Sequence, residues 1–253
     1  MIRPDTDSLT DFGFEKVAFE EKTRRVRAVF DSVADRYDLM NDLMSIGLHR
    51  FWKGFLGTLA RPARAHPCVL DLASGTGDLL SVLDRAIPEP ACRVASDINY
   101  EMLRRGRDKL SHGSRFTDVF WIEADAEKLP FADRTFDLVT MAFGLRNVTH
   151  KDAALAEIRR VLRPGGMVLI LEFSHPRSVS VQKLYDRYSF GVLPRLGRWV
   201  AQDEASYRYL AESIRRHPDQ ITLKRMMEEA GLARVDYFNL SLGIVALHRG
   251  YRL

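Results

Sequence analysis

Between about residue 67 and residue 172, short apolar runs alternate with stretches whose apolar residues recur every three or four positions. That alternation predicts strand and helix in turn, the signature of an α/β fold with a doubly wound, mostly parallel sheet. The runs place strands at 68–72, 92–97, 120–123, 138–141 and 167–173, the last apolar enough to be central. Helices are expected at about 77–86 and from Asn99, a good N-cap, to about Leu110. Another should begin at Thr149, with Asp152 completing a capping-box variant, and Gly165-Gly166 should turn it into the fifth strand. Ahead of this core, 14–59 has a helical pattern (Val29, Phe30, Val33) with breaks near Ser32 and Gly47, and 1–13 reads as loosely ordered.

After the fifth strand, 178–216 interrupts the alternation and carries Tyr185, Tyr188, Phe190, Trp199, Tyr207 and Tyr209. These aromatics either pack the segment onto the sheet or make it a lid over an apolar substrate. His217-Pro218 opens a further helix that Gly231 ends. Two last strands, about 234–240 and 243–249, close the seven-stranded sheet as a hairpin around Gly243. The chain reads as a single domain in four parts: an N-terminal helical cover (1–62), a core (63–177), a lid or substrate insertion (178–216), and a C-terminal helix and strand hairpin (217–253).

Composition narrows the function classes only slightly. The 253 residues are 46% hydrophobic and 28% charged, ordinary for a globular protein. The net charge of +4, from 38 basic and 34 acidic residues, is mild, and the arginine clusters at 24–27, 104–107 and 215–216 read mainly as solvated helix faces. A nucleic-acid surface asks for a stronger basic bias. Cys68 and Cys92 show neither C-x-x-C spacing nor a disulfide framework, which suits a reducing, cytoplasmic interior. The histidines are scattered and no metal site is expected. The charged N-terminus does not read as a signal peptide, and no run approaches the ~18–20 apolar residues that span a bilayer.

The candidate chemistry sits at 69–78, Val-Leu-Asp-Leu-Ala-Ser-Gly-Thr-Gly-Asp, and at Asp97, which ends the second strand. Gly75 and Gly77 let the backbone approach a ligand closely, and a carboxylate at the tip of the second strand can accept both hydroxyls of a ribose. A dinucleotide fingerprint wants a small residue three after Gly77, where this chain has Leu80. Asp71 and Asp78 flank the loop and would repel a pyrophosphate, so a cationic ligand, S-adenosylmethionine, is expected instead of a nicotinamide.

The order of motifs resembles that of class I S-adenosylmethionine-dependent methyltransferases, whose seven-stranded sheet ends in an antiparallel strand. More narrowly, Phe30-Asp31-Ser32-Val33-Ala34, Tyr37 to Asp42, Phe143-Gly144-Leu145-Arg146-Asn147-Val148 and Ser206-Tyr207-Arg208-Tyr209-Leu210 are similar to segments of the ubiquinone/menaquinone biosynthesis C-methyltransferases. The similarity spans about residue 12 to Leu253. It implies methylation of a polyprenylated benzoquinol or demethylmenaquinol. It also implies cofactor contacts from Thr76 and Gly75 in the loop, Asp97 at the ribose, Asp125-Ala126 at the adenine, and Asp71 or the loop backbone at the amino-acid end. Two positions depart from the family pattern: Ser74 replaces a common glycine, and Ala142 stands where many members have a serine.

A quinol carbon is a poor nucleophile until its hydroxyl loses a proton, so a base or a phenolate-stabilising group is needed. The resemblance points to Arg146 for proton abstraction. An arginine is a poor acceptor, so the expectation is that Arg146 orients a water and stabilises the phenolate while Asn147 fixes that water. Tyr37 is the third candidate and His150 the rival base. A prenylated substrate lives in the membrane, which implies transient, peripheral contact with its surface and with other quinone-making enzymes, and leaves room for a homodimer. An RNA methyltransferase would want an Asn/Asp-Pro-Pro-aromatic turn after the fourth strand, where this chain has Ala142 to Asn147, and no nucleic-acid partner is expected. A non-catalytic scaffold would not need to keep Thr76, Asp97 and Arg146-Asn147.

Overall fold

A computed structural model describes residues 9–33, 41–42, 45–111, 118–196 and 204–253. Seven strands form the main sheet: β3 (Cys68–Leu72), β4 (Cys92–Asp97), β5 (Val119–Glu123), β6 (Phe136–Ala142), β7 (Leu162–Phe173), β8 (Ala233–Leu240) and β9 (Val245–Tyr251). Their spatial order is β5-β4-β3-β6-β7-β9-β8. The first five run parallel, whereas β9 lies antiparallel to both β7 and β8. The order in which successive strands are added reverses between the parallel neighbours β3 and β6, which makes the crevice at their carboxyl ends the natural ligand site of such a sheet.

Period-two alternation sends each strand's side chains to opposite faces. Val69, Leu138, Leu169 and Leu171 meet Trp52, Leu56, Leu79, Leu83, Tyr207 and Leu210 on one face. Those partners come from α2 (His49–Leu59), α3 (Asp78–Ala86) and α8 (Glu204–Arg216). On the other face Leu70, Leu72, Val139 and Ile170 pack against Leu155, Ile158, Leu223 and Met227, from α5 (Lys151–Val161) and α9 (Gln220–Glu229). Of the α8 tyrosines, Tyr207 therefore belongs to the core packing. Leu80 lies in a third buried cluster with Ala95, Leu110 and Val119, so it faces the interior and does not crowd the ligand approach.

Four expectations need correction. Leu9–Phe12 and Glu15–Ala18 pair as a short antiparallel hairpin, β1–β2, before α1 (Phe19–Val33) begins. Gly13, at φ +58°, makes the turn that neither a loose tail nor a helix from Phe14 would contain. Helix α5 starts at Lys151, two residues later than Thr149, with no side-chain cap of its own. Glu127 supplies the cap from outside, its Oε1 accepting the amides of Thr149 and His150 at 2.9 Å each. Finally, Gly165-Gly166 lies within β7, which starts directly after α5, and Gly165 and Gly166 bond the C-terminal Arg252 backbone at 2.7 and 2.9 Å. Asn99, by contrast, caps α4 (Tyr100–Ser111) as its sequence suggests, accepting from Met102 N at 3.0 Å.

Candidate active site

The carboxyl ends of β3, β4, β5 and β6 open on a common cleft. Gly75, Asp97, Asp125, Ala126, Phe143 and Asn147 line it, and Thr23, Val26 and Phe30 of α1 cover it. Predicted cofactor residues from three different loops thus converge on one wall. Thr76 and Asp71 lie just behind that wall, both buried, and Tyr37 and Trp199 fall outside the described residues.

The glycine loop is held from behind by Asp97. Its Oδ2 accepts Gly75 N and its Oδ1 accepts Asn99 N, both at 2.9 Å. Each oxygen keeps a second lone pair, so a diol can still be gripped. Burial raises the Asp97 carboxyl, and the Asn99 and Gly75 amides pull it part of the way back. Asp125 is exposed at the cleft mouth, with one oxygen closing a turn on Glu127 N at 2.9 Å. Ala73 and Phe143, which follow β3 and β6, both adopt left-handed backbone (φ +51° and +59°), a strained geometry that clusters at functional sites. Gly144 allows these two loops to touch, since a Cβ there would overlap that of Ala73.

The two acidic flanks of the loop do not both present a free charge to a ligand. Asp78 is neutralised by Lys53 at 3.2 Å and Lys109 at 2.8 Å. Burial acts upward on its carboxyl, but the two lysines outweigh it and hold it below the ordinary range. Asp71 is 1% exposed. Its Oδ1 accepts Thr140 Oγ1 at 2.7 Å, and its Oδ2 has no partner among the described residues. Burial pushes this carboxyl up to about 7, against the pull of Thr140 and Lys53. Sequence counts formal charges; partners and burial decide which of them face a ligand. The carboxylates left on the cleft wall are Asp97, Asp125 and Glu127.

Arg146 and Asn147 sit on a single helical turn, Leu145–Asn147, directly after β6. Arg146 is buried rather than a surface ion-pair partner or a residue of the cleft wall. Its Nη1 donates to Glu172 Oε1 at 2.9 Å and to Phe143 O, and its guanidinium lies over the Phe173 ring at 5.6 Å. Glu172, 1% exposed, also accepts Arg146 N at 3.1 Å and Phe173 N at 2.9 Å. The pair staples the loop after β6 to the end of β7. Asn147 does face the cleft, and Tyr209 of α8 donates to its Oδ1 at 3.0 Å. His150 lies against Phe19 with ring centroids 4.3 Å apart and is not on the cleft wall.

Sequence reasoning missed Glu172, Tyr209, Glu127 and Lys22. Each acts on 143–150 from a remote element, and only the aromatic run around Tyr209 carries a local signal.

Comparison with known proteins now decides the family. Residues 17–252 match the model of the ubiE/COQ5 methyltransferase family. The chain belongs to that family. It is 55% identical over 243 residues to "Ubiquinone/menaquinone biosynthesis C-methyltransferase UbiE" of Escherichia coli O1:K1 / APEC, covering 96% of each chain. The UbiE of Salmonella paratyphi B is 53% identical over 248 residues, with 98% of each covered. Among solved structures, a SAM-dependent methyltransferase from Aquifex aeolicus superposes with a TM-score of 0.57 at 18% identity, covering 79% of this chain and 89% of that one. PigF with SAH gives 0.60 at 18% identity, over 88% and 62%. At those identities the likeness shows the methyltransferase fold of the ubiE/COQ5 chain and nothing finer.

Proposed function

We propose that this chain is a S-adenosylmethionine-dependent C-methyltransferase acting on the ring carbon of a polyprenylated benzoquinol, a demethylmenaquinol, or both, in ubiquinone and menaquinone biosynthesis. The carrying observation is the 55% identity with a UbiE over 96% of both chains. The cleft fits the cofactor: Asp97, held by the Gly75 amide, keeps lone pairs for a ribose, and the orphan Asp71 Oδ2 lies behind the loop where a positive group would be favoured.

S-adenosylmethionine supplies an electrophilic methyl group on a sulfonium. Asp97 takes the ribose hydroxyls, and Asp125 with Ala126 the adenine edge. Gly75, Thr76 and Asp71 take the amino-acid end, through the loop backbone and through charge. Arg146, engaged by Glu172, holds the 143–147 loop in register and so positions Asn147. Asn147 contacts the substrate oxygen from the cleft wall. Tyr37 remains assigned to the substrate by the family resemblance alone.

The prenyl tail points to a membrane surface as the place where substrate is met. No helix among the described residues is long and apolar enough to cross a membrane. The α6 helix (Val179–Asp186) buries no residue and exposes Val179 and Leu184 beside Lys183, which suits shallow contact with an anionic leaflet.

Two measurements test the reading. Purified protein given labelled S-adenosylmethionine and a demethylated quinol should yield methylated ring product, and cells lacking the gene should accumulate the demethyl quinone by mass spectrometry. Retention of cofactor without alkylation of any quinol would end the proposal. Failure to sediment with anionic liposomes containing substrate would remove the membrane contact alone.

A further inference from the structure

The loop carrying Arg146 and Asn147 is tethered from five separate elements. Glu172 of β7 holds Arg146. Glu127, after β5, holds the amides of Thr149 and His150. Lys22 of α1 and Lys151 of α5 both donate to Val148 O, at 3.3 and 3.1 Å. The fifth tether, Tyr209 of α8, differs from the others because it engages a side chain that faces the cleft.

That contact fixes a chemical choice. A primary amide carries its acceptor oxygen at one edge of its plane and its two donor hydrogens at the other. The Tyr209 hydroxyl, buried and 3.0 Å from Asn147 Oδ1, occupies the acceptor side. Its ring cannot swing away, being stacked on Phe12 of the β1–β2 hairpin with centroids 4.3 Å apart and planes at 19°. Burial also raises the phenol, so it stays protonated and donates throughout the working pH range. With the oxygen held on Tyr209, the donor hydrogens of Nδ2 form the opposite edge of the Asn147 amide.

We propose that Tyr209 is a positioning residue for methyl transfer: it locks the Asn147 amide so that Nδ2 donates to the ring oxygen that takes up negative charge. The inference rests on the quinol methyltransferase reading and refines it. Asn147 then stabilises the forming phenolate directly, in place of fixing a water through its carbonyl. A preorganised donor of this kind lowers the barrier without moving during the reaction. The ring hydroxyl first loses its proton to solvent. The ring carbon then bonds the methyl as the methyl–sulfur bond breaks and the thioether leaves. Loss of the ring C–H proton to solvent, with return of a proton to the oxygen, restores the quinol, one proton being released overall. The same contact gives the Ser206 to Leu210 segment a task beyond packing, since it couples the covering helix and the N-terminal hairpin to the reacting oxygen.

The test uses the full-length enzyme with wild type, Tyr209→Phe, Asn147→Ala, Asn147→Asp and the Tyr209→Phe/Asn147→Ala pair. Tyr209→Phe keeps the ring stack and should lower kcat about tenfold, the scale of one lost hydrogen bond in the transition state. Affinity for S-adenosylmethionine by calorimetry and the thermal midpoint should both stay at wild-type values. The acid limb of the kcat profile should move to higher pH, because the ring hydroxyl becomes harder to ionise, a change that a purely structural role would not produce. On the Asn147→Ala background the Tyr209 change should cost nothing more. Asn147→Asp, which still accepts from Tyr209 but offers no donor, should lose more than Asn147→Ala. Wild-type turnover in Tyr209→Phe, full additivity in the pair, or an active Asn147→Asp would each overturn this inference while leaving the quinol reading intact. A wild-type protein that methylates no quinol removes both.

Discussion

Asp71 is the residue whose ionisation the fold controls most directly. With its carboxyl raised to about 7 by burial, it keeps a proton in the folded protein where the unfolded chain has lost it. Its contribution to stability is therefore present at acid pH and disappears as pH rises through about 7. Ligand binding runs the opposite way, because a cationic cofactor favours the ionised form. If the cofactor lowers the Asp71 value by about one unit, affinity should climb about fivefold between roughly pH 6 and roughly pH 8, and about tenfold in all. Calorimetric titrations of wild type against Asp71→Asn isolate this effect, since the amine of the cofactor titrates equally in both. An identical slope in the two proteins would show that Asp71 does not sense the ligand. The sequence placed this carboxylate at the right end of the right strand, but not its protonation, which depends on Thr140 and Lys53 from other elements.

At the scale of elements, α4 sits beneath the glycine loop, and Gly106 sets how closely. A Cβ on Gly106 would lie 3.0 Å from Gly75 O, 3.0 Å from the Thr76 carbonyl carbon and 2.9 Å from the Trp121 ring. Gly→Ala inside a helix ordinarily stabilises it by about 1 kcal/mol. Here the added methyl meets backbone, which cannot rotate aside, so Gly106→Ala should lower the thermal midpoint and weaken S-adenosylmethionine binding at least about tenfold. A variant that melts higher and binds as before would show that the loop has slack. In the sequence, Gly106 is hidden within a basic run, Arg104 to Arg107, that reads as a solvated face. The core strands and the Asn99 cap were legible because each depends on neighbours in the chain. The β1–β2 hairpin was too short for its pattern to stand out. The cap of α5 comes from Glu127, more than twenty residues upstream, and no local rule finds it.

Over the whole molecule, the N-terminal cover is docked by contacts that include a buried lysine. Asn99 Nδ2 donates to Asp31 Oδ1 at 2.8 Å on one side of α1, and Lys22, 3% exposed, reaches Val148 O on the other. Burial lowers Lys22 to about 8, Lys151 beside it adds to the effect, and Glu127 and Asp11 oppose it. A lysine with a depressed value binds fewer protons folded than unfolded between about 8 and about 10.5. Stability must therefore rise with pH across that window, and at neutral pH the charged lysine is held at a cost. The whole shift corresponds to at most about 3 kcal/mol, and partial solvation brings it lower. Lys22→Met removes the titration while Lys151 keeps its bond to Val148 O. The variant should melt a few degrees higher than wild type near pH 7, and the gap should close as pH approaches about 10. A constant difference across that range would mean that Lys22 does not titrate in the folded protein. Because Val148 adjoins Asn147, the same experiment bears on access to the site: a cover docked over a strained like-charge pair opens more readily at neutral pH than in alkali. Hydrogen exchange in α1 should accordingly be faster in wild type than in Lys22→Met at pH 7, and the two should converge where the lysine is neutral.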